Sequence, residues 1–430
     1  MSQSRPSGRG LIARPPLIGS KSPSGPFPVP RLAAGPGRGW LRTVFGRDSQ
    51  LRHLDWVLLA AVLSLGLMGT LLVWSATQPG LRAAGGDPYG YLKKQLLNLG
   101  IGMVLMLAVA WAGYPRVRAV AVTAAVASTL GLLLVLTPVG STVNGARSWI
   151  ALPGGFQLEP SEYAKIGIIG VLAMILGSGP RSDPVAALDR ARGGPPLRAV
   201  AAALGFAAIP LALVAAQPDL GVIVLMLALV LGLLALSGIR LSWLAGLTAA
   251  GALAAVAALQ LHLLKAYQLG RLTSFLNPSA DPQGTGYSAA QSKIAIGSGG
   301  LLGHGLFHGP LTAGNFVPEQ HTDFIFSVAG EELGFAGTAV IIALLALVIL
   351  RALRIAARAE EPFGTLVAGG VAVWFAVQAF VNIGMTLGIM PVTGLPLPFV
   401  SYGGSSMFAD MIAIGCLQAV YRHRNVFSDS

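Results

Sequence analysis

Charged side chains are scarce in this sequence. Asp, Glu, Lys and Arg together make up 11% of its 430 residues, whereas a soluble domain typically carries about 25%. Hydrophobic residues make up 54%, and the mean hydropathy is +0.69. An ordinary soluble domain is therefore excluded, and the composition indicates a protein that lies in a lipid bilayer.

Cysteine is nearly absent as well. The single cysteine, Cys416, falls inside an apolar run, so no intramolecular disulfide can form and no cysteine-ligated metal site is predicted. The histidines His304, His308 and His321 invite a metal interpretation, but the first two lie in the glycine-rich stretch GHGLFHG and no matching ligand set accompanies them. We therefore predict no cofactor. A divalent cation would be an added assumption, because no motif demands one.

Long apolar runs are what the sequence has in abundance. Ten of them approach the roughly 20 residues that cross the hydrocarbon core of a membrane. They cover residues 56–76, 95–114, 118–137, 162–179, 198–216, 220–238, 240–262, 323–350, 364–387 and 403–421. The pattern predicts an all-α polytopic membrane protein with about ten transmembrane helices.

The basic residues predict the orientation of these helices. Acidic residues number 17 against 29 Lys and Arg, which gives a net charge of +12. With the N-terminus inside, 21 of the basic residues fall on the cytoplasmic side and seven on the other, as positive charge beside membrane spans does. Both termini are then cytoplasmic. The charge favours anionic lipid heads, and nucleic acid is not inferred as a partner.

Two segments stand apart from the apolar runs. Residues 1–54 are rich in Pro, Gly, Ser and Arg without an apolar face, so we predict a disordered cytoplasmic tail ahead of a membrane domain over 55–425. Residues 263–322 form a loop of about 60 residues between the seventh and eighth runs, and connections this long are usually functional or disordered. Because aromatic, aliphatic and ionisable residues are interleaved there, we expect an ordered outer loop.

A few ionisable residues lie inside or beside the apolar runs, where charge is costly and commonly functional. Glu162 and Lys165 are three residues apart and share a helix face, so they are able to form an ion pair that faces a cavity. A structural alternative stays open, in which Glu162 complements the helix dipole after Pro160 and Lys165 reaches the interface. The others are Asp219, Asp323, Glu331, Glu332 and Asp410.

Two loop segments carry further candidates. Asp281, in ADPQGTGY, has the surroundings of an ordinary turn residue, and sequence chemistry alone favours that role. The stretch LPLPFVSYGGSS, residues 395–406, is equally compatible with a re-entrant loop and a capping loop, because its glycines permit close backbone approach.

These motifs together resemble the SEDS family of bacterial cell-wall polymerases (shape, elongation, division and sporulation) over residues 55 to about 425. The matching stretches are NGARSWI, PSEYAK, QPDLG, DPQGTGYSAAQSKIAIGSGG, FVPEQHTDFIFSVAGEELG and GLPLPFVSYGGSS, in that order. The stretch that begins at Asp281 is more similar to the elongation branch than to the division branch. Glu159 stands where relatives usually have Gln, and Asp410 stands where an uncharged residue is expected.

The resemblance implies a function. It implies a peptidoglycan glycosyltransferase of the bacterial inner membrane, which polymerises lipid II for rod-shaped growth together with a class B penicillin-binding protein as transpeptidase partner. Asp281 matches the family's essential aspartate and is expected to be the catalytic base. Glu162 and Lys165 match its paired charges. The remaining candidates for binding the diphosphate or supporting the site are Arg147, Arg271, Lys293, His321, Asp323, Ser401, Tyr402, Gly403 and Gly404.

Other functions remain open at this point. A division-branch polymerase has the same motifs, and a flippase of lipid-linked precursors would also suit ten helices with charges inside them. A scaffold without enzymatic activity would leave Asp281 dispensable.

Overall fold

The computed structural model describes residues 54–143, 146–152, 156–177, 194–262, 265–277 and 284–428. Asp281 and residues 1–53 of the predicted tail lie outside these described residues, and their predictions stay untested. Within the described part, a helix stands at each of the ten predicted apolar runs. These are α1 (Trp56–Ala83), α2 (Gly90–Ala112), α3 (Tyr114–Leu136), α4 (Pro160–Leu176), α5 (Leu197–Ala216), α6 (Leu220–Leu236), α7 (Leu241–Gln260), α11 (Ile325–Ala357), α12 (Pro362–Leu387) and α13 (Gly404–Ser428).

Among the described residues, seven helices are long and apolar enough to cross a membrane, namely α1, α2, α3, α5, α7, α11 and α12. Helices α4 and α6 have 17 residues each, and α13 carries more polar side chains. The prediction of a helical multi-pass membrane protein is confirmed. The count of ten spans and the cytoplasmic position of both termini stay predictions.

Helix α12 lies at the centre of the bundle and packs against α4, α6 and α11. Small residues allow this close packing, as they commonly do between membrane helices. An added side-chain carbon at Gly370 would approach Leu233 of α6 to 2.9 Å and Ile169 of α4 to 3.2 Å. Helix α7 differs, because it contacts chiefly α6 and none of its residues is buried.

A small antiparallel sheet connects α3 to α4, and the sequence analysis missed it. Its strands are β1 (Gly140–Val143), β2 (Ala146–Leu152) and β3 (Phe156–Leu158), in the order β1-β2-β3. Ile150 pairs with both Gly140 and Leu158, so β2 is the central strand. Strand β3 ends one residue before Glu159, which places that side chain at the junction of the sheet and α4.

The described part of the long loop is folded into short helices, as the expectation of an ordered loop implied. They are α8 (Ala266–Leu276), α9 (Thr285–Ser298) and α10 (Pro310–Ala313). The Glu331 carboxylate on α11 accepts hydrogen bonds from the backbone N–H groups of Leu311 and Thr312 at 2.7 and 2.9 Å. The first turn of α10 is therefore held by a buried side chain of a membrane helix.

Helix α11 is broken at Gly334, whose φ of 65° and ψ of −165° lie outside the helical region. A break inside a membrane helix leaves backbone groups that need partners, because lipid offers none. The carbonyls of Glu331 and Glu332 accept from the N–H groups of His304 and Gly305 at 3.0 and 2.9 Å, and the N–H of Phe335 donates to the carbonyl of Gly300 at 2.9 Å. The outer loop thus supplies the partners that α11 lacks.

Candidate active site

A cavity of about 470 Å³ opens at the end of the bundle that carries the sheet and the outer loop. We call it the charged cavity, because seven acidic or basic side chains line it. They are Lys94, Glu159, Glu162, Asp219, Arg271, Glu319 and Asp323. Tyr91, Asn98, Gln157, His321, Tyr402, Gly403 and Gly404 also border it. The sheet, five helices (α2, α4, α6, α8 and α13) and both signature loops therefore meet at this cavity.

Glu162 and Lys165 form an ion pair on α4. Lys165 Nζ lies 2.7 Å from Glu162 Oε2 and 3.1 Å from Gln378 Oε1, and both charged side chains are almost completely buried. The ammonium also lies 4.4 Å from the ring centroid of Trp374, where a cation is attracted to the aromatic face. The predicted ion pair is confirmed, and the alternative in which Lys165 reaches the interface is wrong. The pair's part in catalysis stays a prediction.

Three acidic side chains of the cavity, Glu159, Asp219 and Asp323, have raised pKa values. Burial, followed by the nearby carboxylates of Glu162 and Asp219, raises the pKa of Glu159 to about 8. Burial, and then the charge of Glu319, raises the pKa of Asp323 to about 7. Asp219 accepts the N–H of Val222 at 3.1 Å as the N-cap of α6, yet burial still raises its pKa. The carboxyls of Glu159 and Asp323 therefore take up protons near neutral pH.

The predicted cations divide into two groups. Arg271 on α8 lines the charged cavity, where its Nη1 donates to the carbonyl of Thr393 at 3.0 Å. Arg147 is exposed on β2 and is not among the lining residues. Lys293 on α9 borders a separate cavity of about 20 Å³ together with Arg271 and Gly388. The structure thus brings Arg271 to the cavity but not Arg147 or Lys293.

The two signature loops are joined next to the cavity. The Ser401 hydroxyl donates to the carbonyl of Thr322 at 2.6 Å and accepts the N–H of Leu397 at 2.8 Å. The N–H of Tyr402 donates to the carbonyl of His321 at 2.9 Å, and the two rings lie 5.7 Å apart. Burial lowers the pKa of His321, so its imidazole is neutral at pH 7. Ser401 therefore supports the site from behind, while His321 and Tyr402 border the cavity.

Helix α12 fixes the second loop from the centre of the bundle. Gln378 Nε2 donates to the carbonyl of Pro396 at 2.9 Å while its Oε1 accepts from Lys165 and from Trp374. Asn382 Nδ2 donates to the carbonyls of Leu395 and Asp323 at 2.7 and 2.8 Å. Gln378 therefore positions both the loop and the buried lysine, and Asn382 holds the loop.

Sequence reasoning missed some residues of the site. Lys94, Gln95 and Asn98 are not among the residues that the sequence analysis identifies, because Gln95 and Asn98 lie within an apolar run and Lys94 directly precedes it. Gln95 Nε2 donates to the carbonyl of Ser401 at 3.2 Å, and Asn98 borders the cavity. Their spacing of three residues places both amides on one face of α2, and that was the available signal. Within the described part of the chain, no group of three or more His, Cys, Asp or Glu side chains could hold a metal ion.

A model of the FtsW, RodA and SpoVE family, described as cell cycle proteins, matches residues 55–426. The chain belongs to this family. It is 38% identical to the peptidoglycan glycosyltransferase MrdB of Escherichia coli over 388 residues, which cover 88% of this chain and 96% of that protein. It is 39% identical over 375 residues to a probable peptidoglycan glycosyltransferase FtsW of Trichlorobacter lovleyi, covering 87% of this chain and 94% of the relative.

Solved structures share the fold of this family member. A chain from a peptidoglycan synthase complex that coordinates polymerization and crosslinking is 31% identical, with a TM-score of 0.69 over 86% of this chain and 98% of that chain. The rod shape determining protein RodA of Thermus thermophilus is 29% identical, with a TM-score of 0.59 over 86% of this chain and 97% of the other. Like them, the protein is a multi-pass helical protein, and its place is the bacterial inner membrane.

Proposed function

We propose that the charged cavity is the place where this chain, a peptidoglycan glycosyltransferase, holds the diphosphate and sugars of lipid II during polymerisation. The observation that carries the proposal is the convergence of both signature loops, the buried Glu162–Lys165 pair and Arg271 on one cavity at the end of a membrane bundle. A substrate with a lipid tail needs its reactive end at such a membrane surface. The relatives named as peptidoglycan glycosyltransferases support the reaction.

The reaction sets two chemical demands. The 4-hydroxyl oxygen of the acceptor sugar forms a bond to the anomeric carbon of the growing chain, while the bond from that carbon to the polyprenyl diphosphate breaks. The hydroxyl proton passes to a base, and the departing diphosphate keeps the electron pair of the broken bond. Cations or hydrogen-bond donors must therefore stabilise the leaving group, and a carboxylate must accept the proton.

Arg271 and Lys94 are the cavity's cations and are placed to meet the diphosphate. A guanidinium offers several donors in a fixed geometry that suits phosphate oxygens. Lys165 lies deeper, and its charge is shared with Glu162 and Gln378. It supports the floor of the cavity rather than binding the leaving group directly.

Asp281 is the proposed general base. The support is its match to the family's essential aspartate, together with its place in the outer loop, where the preceding helix α8 contributes Arg271 to the cavity. Asparagine preserves the size of the side chain and removes its basicity. Because a positioned base typically contributes about 10²- to 10⁴-fold to the rate, Asp281→Asn is the informative change.

The test uses the full chain purified with a class B penicillin-binding partner and supplied with lipid II. The wild type makes glycan strands that are visible on a gel, whereas Asp281→Asn makes almost none and still binds its partner. Asp87→Asn is the matched control, since Asp87 is an exposed carboxylate outside the charged cavity. Near-normal polymerisation by Asp281→Asn would refute the role of Asp281 as general base. Absence of polymerisation by the wild-type complex would refute the glycosyltransferase activity.

The partner and the branch follow from the same comparisons. A solved relative comes from a complex that coordinates polymerization and crosslinking, which supports a transpeptidase partner. The structural match to RodA supports the elongation branch, although identities of 38% and 39% to MrdB and FtsW do not separate the branches. A fluorescent fusion in patches along the lateral wall is expected. Exclusive septal localisation would assign the chain to division.

A further inference from the structure

The charged cavity has more acidic side chains than basic ones. Five acids line it, namely Glu159, Glu162, Asp219, Glu319 and Asp323, against Lys94 and Arg271. The buried Lys165 compensates one of them, since it pairs with Glu162 at 2.7 Å. His321 adds no positive charge at neutral pH, because burial lowers its pKa. With every carboxyl ionised, the cavity would repel the anionic diphosphate that the proposed function requires.

Two kinds of positive charge are able to remove this repulsion, a metal ion or a proton. The described residues contain no cluster of three or more His, Cys, Asp or Glu side chains that could hold a metal. A proton has a second benefit at this place. A neutral carboxyl group keeps an O–H donor, so it binds a phosphate oxygen instead of repelling it.

Among the cavity acids whose pKa is raised, Glu159 has the least compensation. In the described part of the chain, its carboxylate accepts one hydrogen bond, from the Ser161 hydroxyl at 2.7 Å, and no basic nitrogen lies within 4.0 Å of it. The other acids have more compensation. Glu162 pairs with Lys165, and the Asp219 carboxylate accepts a backbone N–H at the start of α6. The Asp323 carboxylate and the Arg271 guanidinium both lie next to Gly394. Burial and two neighbouring carboxylates raise the pKa of Glu159 to about 8, which is higher than that of Asp323.

Other charged and titratable groups lie near Glu159 or line the same cavity. They are Glu162 and Lys165 on α4, Asp219 before α6, Lys94 on α2, Arg271 on α8, and Glu319, His321 and Asp323 before α11. Asp410 on α13 lies close to the Glu162–Lys165 pair. The backbone N–H of Glu159 donates to Ser405 of α13 at 3.0 Å, which fixes its place at the end of β3. The carboxyl is thus held at the cavity wall while its ionisation is opposed.

We propose that the charged cavity takes up one proton when it binds a diphosphate-linked lipid, and that the carboxyl group of Glu159 receives this proton. The inference rests on the proposed function, because it takes the ligand to be anionic. Glu159 is then a binding residue that is neutral in the complex. Ligand affinity falls as the pH rises and Glu159 ionises in the free protein, by at most about tenfold per pH unit for one proton.

The first experiment measures KM for lipid II between pH 6 and 9, with the chain in complex with its penicillin-binding partner. The diphosphate diester of lipid II does not titrate in this range, so the protein's groups determine the slope. The wild type is expected to show a KM that rises with pH above the pKa of Glu159. In Glu159→Gln, which keeps a donor at all pH values, that rise is lost. Glu159→Asp and the control Asp87→Asn retain it.

The second experiment counts the proton directly and needs no turnover. A short-chain lipid II is titrated into the Asp281→Asn chain by calorimetry at pH 8.5, in two buffers that differ in ionisation enthalpy. More than half a proton is expected to be taken up per ligand, because Glu159 is mostly ionised in the free chain above its pKa of about 8. Glu159→Gln in the same background is expected to take up almost none. Equal uptake by both chains, or no uptake by either, overturns the proposal.

The two experiments separate this inference from the proposed function. A chain that binds short-chain lipid II with Glu159-dependent proton uptake but never polymerises it overturns the glycosyltransferase and leaves the inference standing. A chain that polymerises with a pH-independent KM, or whose Glu159→Gln variant keeps the wild-type KM profile, overturns the inference and leaves the glycosyltransferase standing. A thermal unfolding scan of each variant at pH 6 establishes that the compared chains are folded.

Discussion

The two ends of the helix bundle differ in how completely their buried charges are paired. At the end predicted to be cytoplasmic, the Asp55 carboxylate accepts from Arg351 Nε at 2.8 Å and from the N–H of Leu58 at 3.1 Å. The backbone of Asp55 exchanges two hydrogen bonds with the Gln418 side chain, at 2.9 and 3.1 Å. At the other end, Glu159, Asp219 and Asp323 face a cavity, and burial raises their pKa values.

This difference in charge pairing indicates a structural role for the Asp55 end and a binding role for the end with the charged cavity. Paired charges around Asp55 join the start of α1 to α11 and α13, so they stabilise the helix arrangement and leave little for a ligand to bind. The carboxyls of the charged cavity are incompletely compensated, which lowers stability and leaves sites for protons and ligands. Perturbed ionisation at a cavity is a common mark of functional sites, for this physical reason.

The largest expected effect is a difference in chemical labelling between the two ends of the bundle, which tests the side of the membrane on which each end lies. After replacement of Cys416, cysteines at Ser279 and Ser428 are treated with an impermeant maleimide in intact spheroplasts. The excess of basic residues on one side predicts labelling at position 279 and none at position 428. The reverse pattern would invert the topology and place the charged cavity inside the cell.

Removal of one partner from the buried pair on α4 is expected to have the next largest effect. Lys165→Ala leaves the Glu162 carboxylate buried without its ion-pair partner, and the loss of one member of a buried pair costs about 3–5 kcal/mol. Polymerisation is expected to fall strongly in Lys165→Ala and in Glu162→Ala, with membrane insertion retained. The exchanged pair, Glu162→Lys with Lys165→Glu, is expected to lose less stability than either single variant. Full activity in both alanine variants would make the pair purely structural.

The contrast between the ends is itself tested by Asp55→Ala. This change removes the ion-pair partner of Arg351 and the N-cap of α1. The free energy of unfolding is therefore expected to fall by about 1–3 kcal/mol. The activity of the folded fraction at low temperature is expected to remain, because Asp55 lies far from the cavity lining. Thermal unfolding in detergent and glycan synthesis are measured on the same sample. A loss of activity without a loss of stability would contradict the division between the ends.

The smallest effect is expected for Glu361→Gln at the predicted cytoplasmic end. Glu361 accepts from the Tyr114 hydroxyl at 2.9 Å and from Arg118 at 3.2 Å, and the Arg118 and Glu361 side chains are both largely exposed. Exposed pairs contribute about 0–1 kcal/mol. The midpoint of thermal unfolding is therefore expected to change little at low ionic strength and still less in high salt. A drop as large as that in Asp55→Ala would show that the pair is effectively buried.

The sequence located the helices well and the site in part, for physical reasons. Apolar runs define membrane helices strongly, so a helix stands at every predicted run. The short strands between Gly140 and Leu158 contain few alternating residues and left no clear pattern. The break at Gly334 was hidden, because a glycine within an apolar helix does not reveal its dihedral angles. Glu159 stood out as a departure from relatives, but its raised pKa depends on burial and on the carboxylates of Glu162 and Asp219, and only the fold brings Asp219 near.

The interruption of α11 has a consequence for how the chain is able to vary. Because backbone groups join residues 299–305 to the helix, the exposed side chains of Leu301, Leu302 and His304 are free to change without loosening the contact. Three glycines of the junction are not. A side-chain carbon on Gly299 would collide with the carbonyl oxygen of Gly330, one on Gly303 with that of Glu332, and one on Gly334 with the backbone nitrogen of Gly303. Natural variation and protein engineering are therefore able to change the exposed side chains of this junction, provided that these three positions remain glycine.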